Sequence, residues 1–544
     1  MFSTENDKKM QDDNKQLLID NHKNNSKRIA KNTLFLYGRM LLTIGISLYT
    51  SRVVMSVLGT EDYGLYVLVG SIVTMFSFWA MSMQSAANRF LAYQLGKGDK
   101  DELRSVFAST FTLHVCLAVL LAVVLEVCGF YSISYVLNID PLRLQAAKIV
   151  FHCSVAVCCL KTIAVPFTAI IIAYERMNVY ALICIVEVLV KLVLVLFLAC
   201  SENTDRLIIY GCFLLITYFV SSFSYFLYSF ISFEEAHYLW HYDPVYCKNI
   251  LSFSGWNLIG TGAWVVRGQG INIIFNLMFS TTLGATLNSA YGIASQVNSL
   301  ILQFVGNFRT AVNPQIIKSY VQNDQKYLFS LLFESAKYSY YLLFLLAFPV
   351  ILEADFLLKL WLVDVPEYTA VFCQLVLCNS LFQCIHSSLE TIFHASARMK
   401  ENQILSGSIF LLVIPLSAVA LKLGAPPQTV LYIEIVLTAI VAFGIKYLLM
   451  HRFFYVDWKT FWNALVKPCI IVTIIAIIFP IILKSVLHSS DWITFFVVEI
   501  CAGASMICSI YFLGLSREIR ATLWKATKHF LVSYIKKDRL KELT

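Results

Sequence analysis

The sequence predicts an all-α polytopic membrane protein of about 14 transmembrane helices, built as two parallel-repeat six-helix bundles around a central cavity with two extra C-terminal helices. Three observations predict it. First, 58% of the 544 residues are apolar and only 14% are charged, against roughly 25% charged in an average soluble protein. So few charges cannot coat the three or four soluble domains that this length would otherwise make. Second, apolar windows of 18 or more residues recur along the chain, and at about 20 residues per crossing the apolar content caps the spans near 15. Third, the Lys and Arg of the connecting segments alternate strongly between the two sides, which orients the chain.

Taken in order, the candidate spans cover approximately 32–56, 63–93, 105–130, 145–174, 177–199, 206–231, 249–278, 284–316, 328–352, 368–394, 403–421, 427–450, 462–483 and 492–514. With a cytoplasmic N-terminus, the inner segments hold 27 basic residues and the outer loops 5. Both termini are therefore expected in the cytoplasm, because positive residues are retained on that side. Residues 1–31 read as a polar cytoplasmic tail without the short apolar core of a cleavable signal, so the first apolar stretch is expected to be a retained helix. The domain expectation follows: an N-lobe over 32–231, a cytoplasmic inter-lobe loop over 232–248, a C-lobe over 249–450, and extra helices over 451–514. Residues 515–544 are expected to form a basic amphipathic tail, with Ile519, Leu523, Phe530 and Tyr534 near helical spacing and Arg517, Arg520, Lys525 and Lys528 elsewhere on the wheel. No loop is long enough to house a catalytic domain. The 15 cysteines include no C-x-x-C pair, so they read as small apolar packing residues.

An internal echo supports the two-lobe reading. Tyr63-Gly64 in span two and Tyr291-Gly292 in span eight are followed at the same offset by Ser71 with Ser299 and Phe76 with Phe304. After a three-residue slip Asn88 matches Asn313 and Asp99 matches Asp324. Six crossings separate the copies, so both halves share one orientation, as in a repeat about an axis along the membrane normal.

Charges inside the spans point to what passes between the halves. Intramembrane charges are costly and face a watery cavity or a partner. Lys161, Lys191 and Arg267 lie too deep to reach the headgroups easily. Arg39, Arg89, Arg267 and Arg309 have no acidic neighbour at helical spacing and fall on corresponding helices of the two halves. Together with Lys161 they are the expected lining of a cationic cavity that attracts an anion, since guanidinium binds phosphate bidentately. Glu187, Lys191 and Glu434 are candidates for coupling to a proton or sodium gradient, with the carboxylates of Glu390 and Glu126 nearer the span ends. Glu187 with Lys191, at i and i+4, reads equally well as a local ion pair. Asn313-Pro314 is a candidate gate hinge, because proline removes a backbone donor from span eight. His114, His152, His386 and His394 read as isolated packing or hydrogen-bonding residues, and no metal site or cofactor is expected.

The run NTLFLYGRMLLTIGISLYTSRVVMSVLGTEDYGLYVLVG at 32–70 resembles the start of bacterial O-antigen and capsule flippases of the Wzx or polysaccharide-transport type, within the multidrug/oligosaccharidyl-lipid/polysaccharide exporter superfamily. AYERMNVYA at 173–181, SGWNLIGTGAWVVRGQGINI at 254–273, and YGIASQVNSL with NPQIIKSY between 291 and 320 are similar as well. The resemblance implies twelve core helices in a V that opens alternately to each side. It implies an undecaprenyl-pyrophosphate-linked oligosaccharide as cargo, moved from the cytoplasmic to the periplasmic leaflet of a bacterial inner membrane. Membrane lipids, and a polymerase and glycosyltransferases of the same pathway, are the implied partners, and nucleic acid is not one. Fourteen spans exceed the common core of twelve and resemble the related peptidoglycan lipid-precursor flippases, which is one alternative. A cation-coupled multidrug exporter is a second; it would favour acidic cavity residues, whereas buried Arg and Lys predominate here. A membrane enzyme acting on glycan lipids is the third and finds no nucleophile or metal-ligand constellation.

Overall fold

The computed structural model describes residues 3–516 with 520, 521 and 524, except 175, 200–204, 238–242, 323, 397 and 488–491. Side chains are described from residue 38 onward, without those of 39, 96, 253, 256, 257, 259, 260, 310, 311, 314, 318 and 321. The expected amphipathic tail after residue 516 lies almost wholly outside the described residues. Among those described, there is no β-strand, as expected where every backbone group must be satisfied within its own segment.

The chain divides into two compact units, Met1–Ser289 with Trp361–Asp364, and Ala290–Leu360 with Val365–Thr544. The first holds α1 (Ser3–Met75), α2 (Ser77–Lys97), α3 (Lys100–Tyr131), α4 (Leu144–Ala173), α5 (Met177–Ala199), α6 (Arg206–Ser232) and α7 (Pro244–Met278), and α8 (Thr281–Val321) begins in it. The second holds the rest of α8, then α9 (Gln325–Leu352), α10 (Ala354–Trp361), α11 (Thr369–Ala395), α12 (Met399–Leu411) and α13 (Val413–Lys422). It ends with α14 (Thr429–Ala439), α15 (Lys446–Phe454), α16 (Trp458–Phe461), α17 (Lys467–Leu487) and α18 (Trp492–Ser509). π-Helical turns join α14 to α15 at Ile440–Ile445 and α16 to α17 at Trp462–Val466.

Among the described residues, eleven segments are long and apolar enough to cross a membrane. The protein is thus a multi-pass membrane protein. The first and second apolar stretches do not separate cleanly: α1 runs through Gly59, whose φ of 73° kinks the helix between the expected first and second spans. Only glycine takes that conformation at little cost. α7 and α8 are as long as their neighbours, but Asn, Ser, Gln, Gly and Arg interrupt their sequences, so they fall outside the eleven.

Helix starts follow the sequence. Asp99 accepts from the amides of Asp101 and Glu102, Asp205 from Leu207, Asp243 from Val245 and Tyr246, and Asp324 from Tyr327. Each carboxylate satisfies orphan first-turn donors. Within the first unit α4 and α6 pack closely, because Gly211 lets the helices approach until Val150 lies against it. Ser222 and Ser229 of α6 then donate to the Leu160 and Phe167 carbonyls of α4 at 3.4 and 3.2 Å. Phe167 stands edge-on to Phe107, Phe111 and Phe226, with centroids 5.3–5.7 Å away. α7, which the sequence reading assigned to the C-lobe, packs along α1 and α2 in this unit, and Ser82 of α2 donates to the Ser254 carbonyl at 2.7 Å.

In the second unit α9 packs on α11, and the extra helices α17 and α18 pack on α9. The tie is partly polar: Tyr340 hydrogen-bonds Thr473 at 2.7 Å, and Lys484 pairs with Glu353 at 3.2 Å. Gly514 lies directly on the Tyr341 ring. The repeat partners Tyr63 and Tyr291 are each buried in their own unit, at 7% and 8% exposure.

Candidate functional site

A cavity of about 620 Å³ lies inside the first unit, walled by α1, α2, α4, α5 and α6. Three features define its chemistry. Lys161 of α4 is exposed into it, and its ammonium sits over the Tyr218 ring of α6, 3.7 Å from the centroid. Glu187 of α5 accepts a short 2.5 Å hydrogen bond from Ser221 of α6. Tyr66, Tyr180, Tyr218 and Tyr225 supply aromatic walls, and Thr74, Ser77, Gln84, Ser154 and Ser222 supply hydroxyl and amide groups between them.

Local sequence explains how these groups meet. Tyr218, Ser221, Ser222 and Tyr225 recur at i, i+3, i+4 and i+7 and so share one face of α6. Tyr180, Cys184 and Glu187 do the same on α5, and Cys184 contacts the Tyr225 hydroxyl at 3.4 Å. Pro166 lies inside α4 one turn past Lys161, where it removes a backbone donor from the wall of the cavity. An ammonium held against an aromatic face, beside rings and hydroxyls, can bind an anionic group and stack or hydrogen-bond sugar rings.

At one edge of the same unit Arg143, the residue before α4, bridges two acidic groups. Its Nε donates to Asp62 at 2.9 Å and its Nη1 to Asp205 at 2.8 Å, and Nη2 completes the fork on Asp62. This fork ties α1, α4 and α6 together. It also borders a second cavity of about 640 Å³, lined by Asp62, Asn138, Asp140, Arg143, Asn276 and Thr281 among others. There Asn138 and Asn276 exchange two hydrogen bonds of 2.8 Å.

The structure brings two of the sequence-predicted residues, Lys161 and Glu187, into one cavity. Lys191 stands one turn further along α5, half-buried, and no ion pair joins it to Glu187, whose carboxylate goes to Ser221 instead. Arg89 is exposed on α2, Arg267 is buried on α7 at 3% exposure, and Arg309 is half-buried on α8 in the second unit. None of these three lines either cavity. The Arg39 side chain lies outside the described residues. Glu434 is buried on α14 in the second unit. Asn313 accepts from Thr391 of α11 at 3.1 Å, and the Pro314 side chain lies outside the described residues. Two histidines read as isolated are not. His152 pairs with Glu126 at 2.9 Å, and His386 lies 3.9 Å from Glu390. Both carboxylates belong to the same or a neighbouring helix. The aromatic wall was missed, although the polar and tyrosine spacing on α5 and α6 carried the signal.

Residues 29–312, just over half of the chain, match a family described as "Polysaccharide biosynthesis protein". The chain belongs to this polysaccharide biosynthesis family. Among curated proteins none matches its sequence. Solved structures share the fold of this polysaccharide biosynthesis protein. One is a multidrug resistance MATE family transporter of the MOP superfamily in an inward-facing conformation, with a TM-score of 0.58, 13% identity, and coverage of 78% of this chain and 96% of that one. A eukaryotic MATE transporter gives 0.58 at 12% identity, covering 80% and 98%. A MOP superfamily transporter from Pyrococcus furiosus gives 0.57 at 12%, covering 78% and 95%. At these identities the likeness is one of fold. The chain is thus a membrane protein of a polysaccharide biosynthesis family that shares its fold with these transporters.

Proposed function

We propose that the protein is a flippase that carries an undecaprenyl-pyrophosphate-linked oligosaccharide from the cytoplasmic to the periplasmic leaflet of a bacterial inner membrane, by alternating access, for a surface polysaccharide such as O-antigen or capsule. Both termini face the cytoplasm in this reading, following the basic-residue asymmetry. The observation that carries it is the first-unit cavity, where a single exposed ammonium, Lys161, stands among four tyrosines and a ring of hydroxyls. That combination suits an anionic head joined to sugars. The polysaccharide family supports such a cargo over the drugs handled by the fold's multidrug members. Arg39, Arg89, Arg267 and Arg309 are proposed to supply further positive charge along the path. A pathway polymerase and glycosyltransferases are the proposed partners.

The test is Lys161→Met in cells whose surface polysaccharide depends on this protein. The expected result is loss of surface polysaccharide with accumulation of lipid-linked oligosaccharide on the cytoplasmic leaflet, at unchanged protein level. Normal polysaccharide in Lys161→Met, in Arg267→Ala and in Arg309→Ala would overturn the cationic-path reading.

A further inference from the structure

The second unit encloses a chain of polar groups that the cavity of the first unit does not use. Lys446, the first residue of α15, is fully buried, and so is Asn402 of α12. The Lys446 ammonium donates to Asn402 Oδ1 at 2.6 Å. Lysine only donates, so the amide oxygen must face it and the amide nitrogen must face the other way. That nitrogen donates to Glu390 Oε1 of α11 at 3.2 Å, and Gln403 Nε2 donates to the same oxygen at 2.8 Å. The second carboxylate oxygen, Oε2, faces His386 Nε2 at 3.9 Å. Phe393 closes the ammonium side, 5.0 Å from Nζ, and Phe410 stands edge-on to His386.

The surrounding charges are few. On α11 itself His394 lies within electrostatic reach of both Glu390 and Lys446. α12 contributes Lys400 and Glu401, which are exposed, and α14 contributes the buried Glu434 three turns before Lys446. From α9 come Glu334 and Lys337, half-buried, and from α8 Arg309, which acts on Cys384 one to two turns before Glu390.

We propose that Glu390, Asn402 and Lys446 form a buried proton-binding site, in which a proton taken from water onto Glu390 leaves Lys446 unpaired and releases α15. The proposal deepens the transport reading by naming a proton as the coupling ion, and it rests on that reading for its use in a cycle. The donor set decides the ligand. A hard metal cation needs several oxygen ligands, but here two N–H donors occupy Oε1 and the one amide oxygen is held by the ammonium. A proton needs no coordination shell and adds at Oε2 by forming an O–H bond. Before it adds, the carboxylate and ammonium cancel across the amide. Afterwards the ammonium is a fully buried charge that has lost its counter-charge, the arrangement that is most costly to keep buried. The π-helical turn Ile440–Ile445 ends at Lys446, and such turns are frequent where a helix shifts register at a functional site. Opening there returns the ammonium to water.

The experiment is an infrared acid titration of the full chain in phosphatidylethanolamine/phosphatidylglycerol vesicles, following the carboxylic acid C=O band in sodium chloride and in choline chloride. The expected result is a band that is lost in Glu390→Gln, kept in Glu126→Gln, and insensitive to sodium. In Lys446→Met the same band appears at a pH at least about one unit higher, since an opposite charge nearby favours the ionised carboxylate by roughly that much or more; Lys446→Arg titrates like the unmodified chain. The Lys446 variants leave Glu390 in place, so the test stands if Glu390→Gln does not fold. A band that survives in folded Glu390→Gln, the same titration in Lys446→Met as in the unmodified chain, or displacement by sodium overturns the proposal. No readout involves a glycan, so this failure is distinct from normal polysaccharide in Lys161→Met.

Discussion

Lys161 and Tyr218 give the first-unit cavity its sharpest quantitative test. Replacing Lys161 by Met keeps the side-chain length and removes the charge; Tyr218→Leu removes the ring and Tyr218→Phe removes only the hydroxyl. The ammonium lies 3.7 Å from the ring centroid, well inside the ~6 Å over which a cation is attracted to an aromatic face. Lys161 is exposed to the cavity, so the exposed-site value of about 0.5–1 kcal/mol applies rather than the ~2 kcal/mol of a desolvated pair. A double-mutant cycle of Lys161→Met and Tyr218→Leu, read by thermal unfolding of the purified protein, is expected to give a coupling of about that size. Tyr218→Phe should retain it, since the face of the ring is unchanged. If the proposed anionic cargo binds here, the effect on transport should be larger, because Lys161→Met also removes a charged donor to it, worth about 1.5–3 kcal/mol, or roughly 10- to 150-fold in apparent affinity. Strict additivity in the cycle, or loss of the coupling in Tyr218→Phe, would refute the contact. Equal transport by Lys161→Met and the unmodified chain would refute its role in binding.

Three further outcomes follow from particular contacts. A Cβ on Gly64 would meet the Ala285 carbonyl oxygen at 1.9 Å, so Gly64→Ala is expected to destabilise by about 1–3 kcal/mol; Gly45→Ala, with nothing within 4 Å, should not, and thermal midpoints compare the two. Arg143→Lys loses the fork between Asp62 and Asp205 and leaves two facing carboxylates, for an expected cost of about 1–3 kcal/mol that Asp62→Asn should partly reverse in the double variant. Glu187→Gln can still accept from Ser221 and should fold normally, whereas Glu187→Ala orphans that hydroxyl and should lower the unfolding midpoint by a few degrees for each kcal/mol lost.

The membrane fold was legible because lipid imposes a simple rule: backbone groups must pair within a helix, and apolar side chains must face out. That rule writes long apolar runs, and composition alone finds them. It is weakest where a helix turns polar for a purpose. α7 and α8 carry Arg267, Asn272, Asn276 and Asn288, all buried, and neither helix is among the eleven segments long and apolar enough to cross a membrane. The same physics limited the site reading. A lone lysine in an apolar run, Lys161, announces polar surroundings because its burial would otherwise be prohibitive; in the structure it stands in the lining of a cavity inside the first unit. The arginines announce themselves by the same logic, but sequence alone cannot tell a charge satisfied by a distant helix from one that lines a path. Glu390 and Lys446 make the point most clearly: they are 56 residues apart in the chain and at no helical spacing, and only the fold of α11, α12 and α15 places one amide between them. A spacing rule finds pairs on one helix, whereas a membrane protein can pair its costly charges across three.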